Sequence, residues 1–206
     1  VEKGYPELPG SYSARFGDAI HNYRCVLDHI AWQLVKHGTD PDPSQPASVQ
    51  FPIYRSKGAF ESNIDRRLPG VADIPRAFIK KRQDDAGWDN PESPLQLLAG
   101  LSNDDKHRSL KLFVAGVAKF TISYETRDCE VVKGLAPIRM PSLQRGVVVV
   151  ALDVLYTGPN PELKANVDMT PGVAVEDAGE VGSTLTAIRQ EVTEILHAPE
   201  ITGALA

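Results

Sequence analysis

His21–Leu34 reads HNYRCVLDHIAWQL. Its apolar residues and those around it, Ile20, Tyr23, Leu27, Ile30 and Leu34, recur at spacings of 3, 4, 3 and 4. That period is one face of an amphipathic helix. It predicts a helix from near Ser13 to about His37, stopped by Gly38. Each helical residue turns about 100° from the last. With Ile20 at zero, Arg24 falls at about 40°, Asp28 at about 80° and His21 at about 100°, with Trp32 beside them at about 120°. These three polar residues line one edge of the core stripe, while Asn22 and His29 point to the other side, His29 at about 180°.

A second polar cluster, NDDKHR, spans residues 103–108. As a helix it places Asn103, Lys106, His107 and Leu110 on one face. Leu110 belongs in the core, so Lys106 and His107 stand at its boundary and call for an anionic partner. Asp28 is the candidate within the chain and a phosphate is the candidate outside it. The two segments, about eighty residues apart, are therefore expected to be neighbours.

Working outward, residues 1–11 and 38–50 are rich in Pro, Gly and Asp and read as irregular. FPIY at Phe51 reads as a short extended or turn segment docked on the helices. Residues 58–92 carry no clear period, apart from a short helix at AFIKKRQ. SPLQLLAGL opens a helix with Ser93 as cap and Pro94 in its first position, and SNDDKHRSLKLF continues or restarts it, Ser102 and Asp105 resembling a capping box. KFTISYE then alternates as a strand does; RGVVVVALDVLY, LKANVDM and GVAVED read as further strands. A last helix, about Ser183 to Leu196, carries the stripe Leu185, Ile188, Val192 and Ile195.

Helices, then a sheet, then one returning helix make an α+β chain. We expect one domain over 1–206: a mainly helical part at 12–115, an inserted antiparallel β part at 116–178, and a helix at 182–198 packing on the first helix as part of a helical bundle.

The totals, 206 residues with 42% hydrophobic and 24% charged, suit a globular chain with a real core. No apolar run reaches the length of a membrane span. Two cysteines cannot form a disulfide framework, and the expected location is cytoplasmic. The net charge of −5 argues against a coat for DNA. The charge is uneven, however: Arg55–Arg82 holds eight basic residues against three acidic, and Asp153–Ala206 nine acidic against two basic. The first segment is either a surface for an anion such as RNA or a solvated region.

HNYRCVLDHIAWQLV, FPIY and LSNDDKHRSL together resemble a family of bacterial proteins patterned HN-x-R-x-x-LDH, then FPI, then DKHR. This resemblance covers roughly residues 15–115 and implies no activity. Arg24-Cys25-Val26-Leu27-Asp28-His29 also resembles the arginine–histidine motif of the HEPN superfamily. That resemblance implies a helical bundle, a homodimer and metal-independent RNA cleavage in defence or toxin systems, with Arg24 and His29 as the catalytic pair. In this sequence Cys25 stands where the motif usually has a polar residue. A regular helix, moreover, would hold Arg24 and His29 about 140° apart.

The first reading is thus RNA cleavage by acid–base chemistry, with His21, His29 and His107 moving protons and Arg24 steadying charge. Lys106, Arg108 and Asn103 would bind substrate, and Asp28, Asp105 and Asn22 would orient the set. No cofactor or metal is expected: His21, Asp28, Asp105 and His107 lack a recognised ligand spacing. The alternative is a non-enzymatic interaction or structural protein whose stripe is an interhelical network.

Overall fold

The computed structural model describes residues 8–39, 43–107, 110–135, 151–175 and 178–205. The class is α+β, and the chain divides into two compact units, 8–111 with 175–206 and 112–174. The first unit holds the helices and the second holds most of the β segments.

The helical unit is built on α1 (Gly10–Gly38), which contains no proline and buries Phe16, Ile20, Leu27, Ile30, Ala31, Leu34 and Val35. Tyr23, placed on this stripe by its spacing, is only half-buried. Gly38 ends the helix where the chain at Gly70 presses against it: a Cβ on Gly38 would lie 2.7 Å from the Gly70 carbonyl carbon. Gly70 itself has φ +69°, a conformation glycine adopts without penalty.

Two helices occupy the stretch without a clear period, and the second contains the short helix expected at AFIKKRQ. In α2 (Lys57–Arg67), Ser56 caps the start by accepting from the Ala59 N–H at 3.2 Å, and only Phe60 is buried. Phe60 packs against the Trp88 ring, with centroids 5.4 Å apart. Next, α3 (Asp73–Ala86) buries Pro75, Ile79 and Gln83, spaced four apart along one face. Ser93 caps α4 (Pro94–His107), accepting from the Gln96 N–H at 3.4 Å. Because α4 is continuous, Ser102 is an interior, buried residue and caps nothing.

The last helices are α5 (Val181–His197) and α6 (Pro199–Thr202). Glu180 caps α5 through the Ser183 N–H at 2.6 Å. Burial works against its ionised form, but the Ser183 and Gly182 N–H groups hold its carboxyl below the usual range. The buried face of α5 is Thr184, Ile188, Val192 and Ile195, with Thr184 replacing the expected Leu185. Helices α1, α4 and α5 pack on one another, and α6 packs on α3 and α5.

In the other unit, β1 (Leu112–Arg127) runs well ahead of the expected KFTISYE, and β2 (Cys129–Leu135) is a strand that alternation did not reveal. Asp128 joins them with φ +52°. Its carbonyl accepts from the Thr157 and Gly158 N–H groups at 2.8 and 3.2 Å, and its carboxylate from the Asn160 N–H at 3.2 Å. β2 pairs antiparallel with β3 (Ala151–Tyr156), Cys129 facing Tyr156 and a register shift falling between Val131 and Lys133. β4 (Glu162–Val175) neighbours β1 and runs straight through Pro171 and Gly172, which the sequence reads as a break. Residues 145–150 of the expected RGVVVVALDVLY strand lie outside the described residues. A two-residue strand, β5 (Gly179–Glu180), leads into α5. Among the described residues, no helix is long and apolar enough to cross a membrane.

Candidate functional site on the first helix

Arg24 and Asp28 are one helical turn apart on α1, and they grip each other twice. Arg24 Nε donates to Asp28 Oδ2 at 3.1 Å, and Nη2 stands 2.9 Å from Oδ1. Both also reach Phe51: Arg24 Nη2 donates to its carbonyl at 2.9 Å, and Asp28 Oδ1 accepts from its N–H at 2.9 Å. The pair therefore offers Phe51 one donor and one acceptor, as a neighbouring β-strand would.

The same device continues along the segment. Gln83, 2% exposed, donates from Nε2 to the Pro52 carbonyl at 2.9 Å and accepts through Oε1 from the Tyr54 N–H at 2.9 Å. Gln96 Nε2 donates to the Tyr54 carbonyl at 2.7 Å. Residues 51–54 are thus held by side chains from α1, α3 and α4, with Phe51 and Pro52 fully buried. Burying an unpaired backbone polar group costs about 1–3 kcal/mol. These five bonds are what allow an extended segment, with no strand beside it among the described residues, to enter the core.

The remaining sequence candidates are distributed around this clamp. His21 is exposed and pairs with Cys25, its Nε2 standing 3.3 Å from Sγ. His29 is also exposed, and with Cys25, Asp28 and Trp32 it lines a recess of about 350 Å³. Asn22 is exposed. The guanidinium of Arg24 is directed to Phe51, and His29 to the recess.

On α4, Asn103, Asp105 and Lys106 are exposed. Asp105 packs its carboxylate onto α1 at Gly17: a Cβ there would stand 2.9 Å from Asp105 Cγ. The end of α4 thus lies against the first half of α1. Asp28, which the sequence reading turned toward Lys106 and His107, directs its carboxylate to Arg24 and the Phe51 N–H. His107 closes α4; its side chain, and Arg108, lie outside the described residues. No group of three or more His, Cys, Asp or Glu among the described residues is arranged to hold a metal ion.

The basic segment is largely answered from within. Lys80 meets Glu61 at 2.8 Å, Arg76 meets Asp65 at 2.6 Å, and Arg67 donates to the Ser48 carbonyl at 3.0 Å. Hydrogen bonding to Lys80 lowers the Glu61 carboxyl below its usual range, and Glu61 raises Lys80 in return. Arg82 binds Glu191 through Nε at 3.0 Å and through Nη2, and reaches Glu194 at 2.7 Å. Glu191 above all raises Arg82 over its ordinary value. One arginine of the basic segment and two glutamates of the acidic segment therefore meet between α3 and α5.

Sequence reasoning missed Gln83 and Gln96. The available signal was position: Gln83 continues the line of Pro75 and Ile79 onto the buried face of α3, where an amide needs partners. No protein-family model, no curated protein and no solved structure matches this chain.

Proposed function

We propose that this chain is a cytoplasmic interaction protein, without catalytic activity, in which the polar stripe of α1 is a structural clamp. The observation that carries this reading is the use of Arg24. Its side chain is 13% exposed, and it is bonded both to Asp28 and to the Phe51 carbonyl. A guanidinium spent in this way has Nε and Nη2, three of its five N–H donors, committed inside the fold. The internal pairing of Lys80, Arg76 and Arg82 likewise reduces the cationic surface offered to RNA. For a protein partner, the β unit presents Tyr124, Val132, Leu155, Tyr156 and Leu163 as exposed apolar side chains on strands.

A second reading is chelator-resistant RNA cleavage by a homodimer. It draws on His21 and His29, both exposed on α1 and so open to a substrate. One experiment separates the two. Labelled RNA is incubated with the protein, with and without chelator, beside Arg24→Ala, His21→Ala and His29→Ala. The interaction reading expects no cleavage by any form, with only Arg24→Ala losing stability. Chelator-resistant cleavage that both histidine variants lose, while remaining folded, would overturn it.

A further inference from the structure

We propose that His21 and Cys25 form a two-donor chelate on α1 for a thiophilic divalent cation of the zinc class. This rests on the geometry of α1 and not on either functional reading above.

Three observations carry it. The donors are one helical turn apart, so a rigid backbone fixes their separation. His21 Nε2 and Cys25 Sγ are 3.3 Å apart. A tetrahedral ion with its sulfur at about 2.3 Å and its nitrogen at about 2.0–2.1 Å holds the two donors roughly 3.5 Å apart, so very little motion is needed. The position is also accessible: His21 is exposed and Cys25 is only half-buried. Water can therefore complete the coordination of an ion held by two protein donors.

The chemistry balances without a further reactant. The thiol proton leaves to solvent, the thiolate and the lone pair on Nε2 bind the ion, and the imidazole keeps its proton on Nδ1. Thiolate with imidazole selects zinc and cobalt over magnesium or calcium, which require oxygen donors. The Asp28 carboxylate, committed to Arg24 and Phe51, stays outside the donor set. Cys129 provides an internal contrast, since it is buried and its thiol donates to the Glu162 carbonyl at 3.2 Å.

The test is a titration of the full chain with Co²⁺, followed by sulfur-to-cobalt charge-transfer absorption in the near ultraviolet. The band should appear and should be displaced by Zn²⁺ but not by Mg²⁺. Cys25→Ser should abolish it, and His21→Ala should weaken binding until the titration no longer saturates. Cys129→Ser should leave it intact. Far-ultraviolet circular dichroism confirms that each variant is folded. The proposal is overturned if the native chain gives no band, if the band survives Cys25→Ser, or if His21→Ala binds as tightly as the native chain.

Discussion

Arg24 on α1 and Gln83 on α3 donate to successive carbonyls of one segment, those of Phe51 and Pro52, at 2.9 Å each. Two helices thus share the task of satisfying a buried stretch of backbone that neither helix contains.

Breaking the α1 half of this grip should be costly. Arg24→Ala and Asp28→Ala should each destabilise the helical unit by about 2 kcal/mol, because each leaves the other charge and a Phe51 backbone group unmet. The double variant should lose clearly less than the sum of the two. Arg24→Lys should not restore stability, since an ammonium cannot bridge a carboxylate and a carbonyl as a fork does. Urea unfolding measures all four, and strict additivity would contradict the closed network.

Gln83→Leu should lose about 2 kcal/mol although it adds apolar volume, because the Pro52 carbonyl and Tyr54 N–H become unpaired. Gln83→Glu makes a sharper test. A carboxylate at this buried site would face the Pro52 carbonyl, and burial favours its neutral form. Its folded-state pKa would lie above the unfolded value, so the variant should recover stability as the pH falls. If thermal melting shows the same deficit at neutral and acid pH, Gln83 does not hold that carbonyl.

Gly17→Ala should leave stability unchanged or raise it by up to about 1 kcal/mol, because alanine is the better helix former and the new methyl group meets only the carboxylate end of the exposed Asp105 side chain, which can turn away. Asp105→Ala in the same chain should bring out the full gain, since it removes the one side chain in the way. A marked loss of stability in Gly17→Ala that Asp105→Ala does not relieve, read by urea unfolding, would mean that some other contact limits residue 17.

The link between α3 and α5 gives a pH dependence. Hydrogen bonds from Gln190 and then Arg82 hold the Glu194 carboxyl below its usual range. A lowered folded-state value means the stabilisation is present above the unfolded value of about 4.3 and is lost as the pH falls through the folded value. Glu194→Gln should therefore melt below the native chain at neutral pH, and the gap should close in acid. A gap that persists unchanged in acid would show that Glu194 contributes through packing rather than charge.

The core stripes of α1 and α5 were legible in sequence because each comes from one amphipathic helix with a regular period. Ser93 and Pro94 were legible as a helix start for a similarly local reason. Helix α2 was not, since Phe60 is its only buried residue and a single apolar position sets no period. Strand β2 was hidden because its turn uses Asp128 at positive φ, with no glycine to announce it. At the site, azimuth alone grouped His21 with Arg24 and Asp28. It could not foresee that a distant backbone segment would take the last two and leave His21 to Cys25. That choice depends on where Phe51 docks, a tertiary fact with no local signature.

The side-chain clamp on residues 51–54 has one more effect. An extended stretch with open amide edges is a template on which other chains can add as strands. Here Asp28, Arg24, Gln83 and Gln96 occupy those edges with groups that cannot propagate a sheet. The residues that seat the FPIY segment therefore also leave it with no open amide edge for a further strand at Phe51, at the Pro52 carbonyl or at Tyr54.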